Sequence, residues 1–372
     1  MIETEVWAAK RKWVATIIAL AGSVSAIDSF AAETVTSPWS RFITLRSGPG
    51  YKDNVTLASQ NPDESAYWAN GGDLFLLRTP KQGPQLSFFV SGEDVRYFSS
   101  AVESEQLGMA SAEISQRIGE EWKASLTGIG AYSHGVFDAS STTTNRVVQV
   151  KAVSGTARPQ IIRYFEHDLR LELRAGITRQ YFDDPLDDYW EGGPRLLVGW
   201  QPRPNTDLTL SYDYNHRAYD TRSPLDPAGF SMPGGLRFEQ HEVELQYTHT
   251  FDEAKKWRLI SRALYERNVD NGSGYFDYHR YRASEALRFR SGAWKAEASV
   301  TLSHYDYDLQ PAVVGNAETR RLTFYGGGLE GAFELNDNWS VYAEWEHERN
   351  VSNDPFYEYS LNQVAVGVEL NF

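Results

Sequence analysis

The chain has 372 residues, 13% of them aromatic, with no cysteine and a formal net charge of −14. An acidic balance without a cluster of Lys and Arg argues against nucleic acid as a partner, because phosphate binding requires clustered basic side chains. After the first thirty residues, no run approaches the roughly 18 to 20 apolar residues that a spanning helix requires, which excludes a helical membrane protein.

Residues 1–31 are predicted to be a signal peptide. The basic segment Lys10–Lys12 is followed by the apolar stretch Trp13–Val24 and then by small residues, the order typical of a secretory signal. Cleavage is expected after Ala26 or Ala31, so that 32–372 forms a single exported domain. The alternative is an amphipathic or core helix, but the stretch is too short to span a membrane and no stop-transfer sequence follows it.

A short polar turn followed by a large apolar residue recurs along the chain and predicts where strands begin. The apolar residue is Trp in four repeats and Leu in three: Trp122, Trp257, Trp294 and Trp339, and Leu86, Leu169 and Leu208. Each interval between repeats has the length of one hairpin, so seven hairpins supply fourteen strands. Because Arg41–Thr79 can supply two more, about sixteen strands are predicted. Fourteen is the alternative, since Ser47–Tyr51 interrupts the alternation in the first pair.

Apolar and polar residues alternate after each repeat for roughly 8 to 10 positions, the length of a tilted strand that crosses the hydrocarbon. From Leu169 onward, for example, apolar residues at odd positions oppose Arg170, Glu172 and Arg174 at even positions. A period of two is that of a strand with one apolar and one polar face. We therefore predict an all-β fold, a transmembrane antiparallel up-and-down β-barrel. An exported soluble β-sandwich would also alternate, but it does not predict Trp recurring at one edge.

Short turns alternate with longer connections such as Asp183–Glu191 and Thr221–Leu236. Since outer-membrane barrels place short turns in the periplasm and long loops outside, the pattern predicts the bacterial outer membrane, with both termini in the periplasm. Trp122, Trp257, Trp294 and Trp339 would then form an aromatic girdle at the periplasmic boundary. The expected partners are outer-membrane lipid and lipopolysaccharide, and the oligomeric state stays open.

The last strand ends the chain on an aromatic residue. Val364, Val366, Val368, Leu370 and Phe372 alternate with small and polar residues. A spanning barrel must pair its last strand with its first, because backbone groups cannot stay unpaired in lipid. A terminal amphipathic strand ending in Phe372 also resembles the signal read by the outer-membrane barrel assembly machinery, which is therefore a predicted partner.

Two segments carry a family resemblance: Gly50–Val55, and Ser352–Pro355 followed by Tyr359, Asn362 and Phe372. In them the chain resembles the β-barrel porins associated with exopolysaccharide gene clusters. The resemblance implies an outer-membrane barrel with a link to exopolysaccharide export, and hence polysaccharide as a partner. It implies no catalytic residues.

Charged residues in the polar phase of the strands predict a charged lumen. The candidate lumen-lining residues are Arg258, Arg262, Arg280, Arg282, Arg288 and Arg290, together with Glu242, Glu244, Glu344 and Glu346. Two interpretations stay open: cross-strand ion pairs that stabilise the wall, or a transverse field across a water-filled constriction that orients polar solutes. Glu285 falls in the apolar phase, which indicates a β-bulge or shielding by a neighbouring chain.

The sequence has no motif for nucleophilic catalysis, phosphate binding or metal coordination, so neither an enzyme nor a cofactor is predicted. His241, His304 and His347 fall near the strand ends, where polar rim residues are expected. Asp183–Asp188 lacks the spacing and glycine of a calcium loop and is interpreted as a solvated acidic turn. The predicted function is a passive channel for small hydrophilic solutes or saccharides, since about sixteen strands leave an aqueous lumen. A non-conducting scaffold and an outer-membrane hydrolase are the alternatives.

Overall fold

Sixteen antiparallel strands close into one β-barrel. The computed structural model describes residues 38–80, 83–138, 147–252, 254–313 and 318–372, so the predicted signal peptide lies outside the described residues. The strands are β1 (Trp39–Lys52), β2 (Ser65–Arg78), β3 (Gln85–Tyr97), β4 (Ser104–Ile118), β5 (Trp122–Asp138), β6 (Val147–Tyr164), β7 (Leu169–Phe182), β8 (Tyr189–Arg203), β9 (Thr206–Tyr219), β10 (Arg237–Thr250), β11 (Trp257–Asp270), β12 (Tyr278–Ser291), β13 (Trp294–Pro311), β14 (Thr319–Glu334), β15 (Trp339–Ser352) and β16 (Tyr359–Asn371). Each strand pairs with its neighbours in the chain, and β1 pairs with β16.

The predicted strand starts agree with the structure. The strands β5, β7, β11, β13 and β15 begin at Trp122, Leu169, Trp257, Trp294 and Trp339, while Leu86 and Leu208 lie just inside β3 and β9. The segment predicted to supply the first pair forms β1 and β2, so the count of sixteen is confirmed and the alternative of fourteen is wrong. Although Ser47–Tyr51 interrupts the alternation, it stays within β1, because every residue of β1 pairs with β2.

The connections give the barrel two different ends. Short turns such as 204–205 and 292–293 follow the even strands, whereas longer connections such as 220–236 follow the odd strands. We call these the turn end and the loop end. The predicted loop over 183–191 is too long, because β8 already begins at Tyr189. No helix in the described part of the chain is long and apolar enough to cross a membrane.

Successive side chains point to opposite faces of the wall. One phase carries large apolar side chains that are exposed, such as Leu171, Leu173 and Ile177 on β7 and Val366 on β16. The other phase carries most of the charged residues and the aromatic clusters that pack against one another. In a closed barrel the exposed apolar phase is the exterior. We call the two phases outward and inward.

Aromatic side chains in the outward phase concentrate near the two ends of the strands. The predicted girdle residues Trp122, Trp257, Trp294 and Trp339 all lie at the turn end in this phase, and each residue is 37 to 58% exposed. At the loop end, Trp68, Trp190 and Tyr281 are exposed in the same phase, each within four residues of the end of its strand. Aliphatic side chains fill most of the wall between the two rings.

Inside the loop end, aromatic side chains pack into two clusters. The first joins Tyr189, Tyr219, Leu236, Phe238, Tyr275 and Phe276, with Leu225 of the 220–236 connection packed against it. The second joins Tyr278, Tyr305, Tyr307 and Leu322 on β12 to β14, with Tyr357 packed against it. Because both clusters are inward, the long connections and the inner wall support each other at this end.

The seam between β1 and β16 closes the barrel with an interrupted register. Ser47 pairs with Val368 and Gly50 pairs with Ala365, but Gly48 and Pro49 between them make no pair on this side. Pro49 has no N–H to donate. A Cβ on Gly48 would lie 2.1 Å from the Val366 carbonyl oxygen, so only glycine allows this close approach. The chain terminus completes the seam, since the Phe372 N–H donates to the Ile43 carbonyl at 2.9 Å.

Candidate functional site

The ten predicted lumen-lining residues all lie in the inward phase of their strands. On β12, for example, Tyr281, Ala283 and Leu287 are exposed in the outward phase, so Arg280, Arg282, Arg288 and Arg290 at even positions point inward. The same reasoning places Arg258 and Arg262 of β11, Glu242 and Glu244 of β10, and Glu344 and Glu346 of β15 on the inner wall. The candidate site is therefore the charged inner wall itself.

Five of the predicted arginines form a first arginine group on β11 and β12, consisting of Arg258, Arg262, Arg282, Arg288 and Arg290. Arg258 stands directly opposite Arg288 in the register of the two strands, and Arg290 stands opposite Lys295 of β13. Arg288 donates from Nε to Glu297 Oε2 at 2.5 Å. Arg262 donates from Nε to the Gln246 side-chain oxygen at 2.7 Å. The group thus combines some local pairing with cations set side by side.

Arg280 lies inward, as predicted, but it belongs to the packed loop end and not to an open surface. Its side chain is 2% exposed, its Nη1 lies 3.2 Å from Glu266 Oε2, and its guanidinium lies 5.0 Å from the Tyr305 ring. The Tyr278 hydroxyl donates to the same carboxylate at 2.5 Å. Arg280 is therefore a buried wall residue, and its positive charge is paired with the Glu266 carboxylate. Such pairing offsets the cost of burying the charge.

A second arginine group on β6 to β8 was not among the predicted site residues. It consists of Arg158, Arg170, Arg174 and Arg195, all inward. Arg174 stands directly opposite Arg195, whose Nη1 lies 3.3 Å from Asp213 Oδ2. The alternation after Leu169 already placed Arg170 and Arg174 in the polar phase, so the signal was in the sequence. The sequence did not show that Arg174 lies opposite Arg195, because that contact depends on the register between β7 and β8.

Arg170 shows how glycine allows a long-range pair on this wall. Its guanidinium passes over Gly199 of β8 and donates to both carboxylate oxygens of Asp207 on β9, at 2.8 and 3.2 Å. A Cβ on Gly199 would lie 2.6 Å from the Arg170 Cζ atom. The two-pronged geometry suits a guanidinium and a carboxylate.

Acidic residues dominate the inner wall from β14 round to β4, which we call the acidic arc. Glu330 of β14 stands directly opposite Glu344 of β15 and also opposite Glu297 of β13. Glu346 lies on the same face of β15. Further round, Arg46 meets two carboxylates, with its Nη2 3.0 Å from Asp73 and its Nε 3.5 Å from Glu369. Sequence reasoning missed the inward Glu93 and Glu105 of β3 and β4, which extend the arc.

Glu242 and Glu244 lie between the two arginine groups. Glu242 stands between Asp213 and Glu266 in the register, so three carboxylates follow one another across β9 to β11. Glu244 lies 3.7 Å from Arg195 through its Oε1 atom. The structure therefore places these two predicted residues beside the second arginine group, on the side of the wall away from the acidic arc.

The histidines at the strand ends point outward and bond to neighbouring side chains. The Nδ1 atoms of His304 and His347 lie 2.9 Å from the Thr323 hydroxyl and the Asn362 side-chain oxygen, and His241 Nδ1 lies 2.8 Å from the Tyr212 hydroxyl. In the acidic turn, Asp188 accepts from the Phe182 N–H at 2.8 Å. Within the described ranges no group of three or more His, Asp or Glu side chains is arranged to hold a metal ion.

No family model matches the chain, and no curated protein matches it. Among solved structures, it is similar to OccAB4 of Acinetobacter baumannii, with 12% identity and a TM-score of 0.48 over 90% of this chain and 98% of that one. It is also similar to the anion-selective porin from Comamonas acidovorans (12% identity, TM-score 0.45, 90% and 99% covered) and to a bacterial polysaccharide outer membrane secretin (9% identity, TM-score 0.44, 89% and 97% covered).

Proposed function

We propose that the chain is an outer-membrane channel through which small hydrophilic solutes diffuse passively. The observation that carries the proposal is the grouping of like charges on the inner wall. Arg258 stands opposite Arg288, Arg174 opposite Arg195, and Glu330 opposite Glu344. Like charges directly opposite each other destabilise a sheet, so a wall built only for ion pairing would avoid them. Water in a wide lumen screens such neighbours, and a barrel of sixteen strands has the circumference for it.

The exterior supports placement in a membrane. An apolar outward face between two aromatic rings is the pattern of a barrel in contact with lipid, where indole and phenol groups lie at the headgroups. Closure through β1 and β16 leaves no strand edge exposed in that zone, which lipid requires. The loop end would then face outside and both termini the periplasm.

The arrangement of charge supports orientation of polar solutes during passage. Both arginine groups lie in the half of the wall centred on β9, while the acidic arc is centred on β1. Opposite charge on opposite sides of a lumen produces a field across it, which aligns dipolar and charged solutes. We further propose saccharides as substrates, since hydroxyl-rich solutes suit such a wall and the family resemblance implies a link to polysaccharide export.

Conductance of the purified barrel in planar lipid bilayers tests the proposal. The double substitution Arg282→Glu and Arg288→Glu should shift ion selectivity toward cations, because both side chains are inward. It should leave folding nearly intact, because water in the lumen screens the new charges. The matched control is Arg163→Glu, which is outward at the turn end beside Trp122 and should leave selectivity unchanged. Unchanged selectivity in the double variant would contradict a permeation path along the first arginine group.

A non-conducting scaffold is the second candidate, and the packed aromatic clusters inside the loop end favour it. If they seal the lumen, the purified barrel will show no conductance in either the native or the Arg282→Glu, Arg288→Glu form. Swelling of liposomes in a neutral hexose and in a hexuronic acid of similar size provides an independent measurement. Uptake of the sugars supports the channel, and the absence of both conductance and uptake supports the scaffold.

A further inference from the structure

Glu285 occupies an unusual place on the outside of the barrel. It lies in the outward phase of β12, flanked along its strand by the exposed Ala283 and Leu287. Outward charged residues such as Arg41, Asp94 and Arg179 lie within four residues of a strand end, whereas Glu285 is the eighth of the fourteen residues of β12. The bulge expected from the sequence is wrong, because β12 keeps an unbroken register with β11 and β13 on both sides of Glu285. The carboxyl group therefore faces the zone that lipid would occupy.

Hydrocarbon offers no hydrogen-bond donor to this carboxyl group. The barrel supplies one donor, since the Ser261 hydroxyl of β11 lies 2.5 Å from Glu285 Oε2. A carboxylate accepts about four hydrogen bonds when fully satisfied, so one hydroxyl leaves most of its capacity unused. Ionisable groups in a lipid-facing zone are costly and mark functional contacts. Acyl chains alone are thus a poor covering for this face.

The surroundings of Glu285 fit a second protein surface. Ser261 and Glu285 are direct register partners, and so are Ala263 and Ala283 one step toward the loop end. Leu259 and Leu287 form the next pair toward the turn end. Small side chains beside a polar pair let two walls approach closely, which is how protein surfaces associate where no hydrophobic driving force acts.

We propose that this face of β11 and β12 is the contact between two copies of the chain in the membrane. Two copies inserted in the same direction are related by a two-fold axis along the membrane normal. That axis places Ser261 of one copy opposite Glu285 of the other, and the reverse contact forms at the same time. A serine hydroxyl has one hydrogen and two lone pairs, so each Ser261 can donate to the Glu285 of either copy and can accept from the O–H of a protonated carboxyl group of the other copy. The proposal rests on the membrane placement argued above and not on conduction.

The same symmetry identifies positions for cross-linking. The axis that pairs Ser261 with Glu285 also places Ala263 opposite Ala283 of the second copy. Because the chain has no cysteine of its own, Ala263→Cys in one tagged copy and Ala283→Cys in a differently tagged copy can be produced together. Mild oxidation in intact outer membranes should join the two copies, with Ser261 and Glu285 left unchanged.

A control pair tests whether the contact is specific. Leu173→Cys and Leu196→Cys are register partners of similar exposure on β7 and β8, and they should give no disulfide between copies. Adding Glu285→Leu to both chains should abolish the Ala263→Cys and Ala283→Cys product while the barrel stays heat-modifiable. Cross-linking no stronger than in the control pair would overturn the proposal, and so would a product that survives Glu285→Leu. Recovery of the chain as a soluble protein would instead refute the membrane placement.

Discussion

Arg179 connects three strand ends although its side chain points out of the barrel. From β7 it donates to Asp220, just after β9, with Nη1 2.9 Å from Oδ1. Its Nη2 lies 3.5 Å from Asp188, just before β8, and its guanidinium lies 4.5 Å from the Tyr181 ring and 5.3 Å from the Trp190 ring. One residue thus holds the end of the 183–188 connection and the start of the 220–236 connection at the aromatic ring of the loop end.

The Arg179–Asp220 pair predicts acid-dependent loosening of the 220–236 connection. Hydrogen bonding to the Arg179 guanidinium lowers the pKa of Asp220 below its ordinary value. A lowered pKa means that the pair stabilises the fold above the unfolded pKa of about 3.9 and loses this effect as the pH falls through the folded pKa. A nitroxide on Ser231→Cys should therefore become more mobile in electron paramagnetic resonance spectra below about pH 4.

The matched variant is Asp220→Asn, in which the charge partner is lost at every pH. Its label should already be more mobile at neutral pH, and the part of the acid transition that comes from Asp220 should disappear. Identical pH profiles with and without Asp220→Asn would show that Arg179 does not hold this connection.

At the level of residues, the sequence predicted which way a side chain points but not what it meets. The period of two assigned Arg170 and Arg282 to the inner wall without reference to any neighbour. The pairing of Arg170 with Asp207 depends on Gly199 of the intervening strand, and the burial of Arg280 depends on Glu266 and Tyr305. These contacts are made between residues on different strands, and the alternation within one strand does not determine how two strands are aligned.

Individual strands differ in how closely their backbones approach. Gly193 of β8 faces β9 so tightly that a Cβ there would lie 1.8 Å from the Tyr214 carbonyl oxygen. Its neighbour Pro194 lacks an N–H, and neither residue pairs with β9 in the register. The glycine is required here because the backbone of β9 occupies the space that a side chain at position 193 would need.

Gly193→Ala should force β8 and β9 apart and destabilise the barrel by about 3 kcal/mol, the upper range for an overpacked site. The urea dependence of the folded fraction in detergent micelles, followed by the heat-modifiable band, measures the loss. Gly155→Ala is the control, since no atom lies within 4 Å of a Cβ built at Gly155, and its effect should stay within about 0.5 kcal/mol. Equal stability of the two variants would contradict the close approach.

Strand starts were predictable from the sequence to within two residues, whereas the ends at the loop side were not. The polar turn before Trp257, Trp294 or Trp339 marks a sharp change from turn to strand. At the loop end the strands continue as polar extensions above the apolar zone, so alternation fades before pairing stops. This is why β8 begins at Tyr189, inside a segment expected to be loop.

For the molecule as a whole, strand number and closure could be predicted, because both follow from counting hairpins and from the terminal strand. The division of the inner wall into arginine groups and an acidic arc could be predicted only in part. Arg288 and Glu344 were recognisable as inward residues, but grouping of charge around a barrel requires the positions of all sixteen strands. Glu93 and Glu105 were missed because nothing near them in the chain indicates that β3 and β4 continue the arc.

The aromatic ring at the turn end predicts a common depth for its tryptophans. Variants that retain only Trp122, Trp257, Trp294 or Trp339, with the other tryptophans replaced by Phe, should be quenched by brominated lipids at nearly the same bromine position. All four begin a strand in the outward phase, so a membrane must place them at one boundary. Widely different depths would show that the barrel does not sit in lipid as its outward face indicates.

The pairing of the first strand with the last also dictates the order of events in folding. The Thr44 hydroxyl meets the Asn371 side chain at 2.9 Å, across 327 positions of sequence. No hairpin can form that contact early, because its entropic cost is recovered only once the strands between are in place. Until the last strand pairs with β1, the sheet has two unpaired edges, and each edge can pair with the wrong strand. A chain with this topology therefore needs its unpaired strand edges protected until the barrel closes.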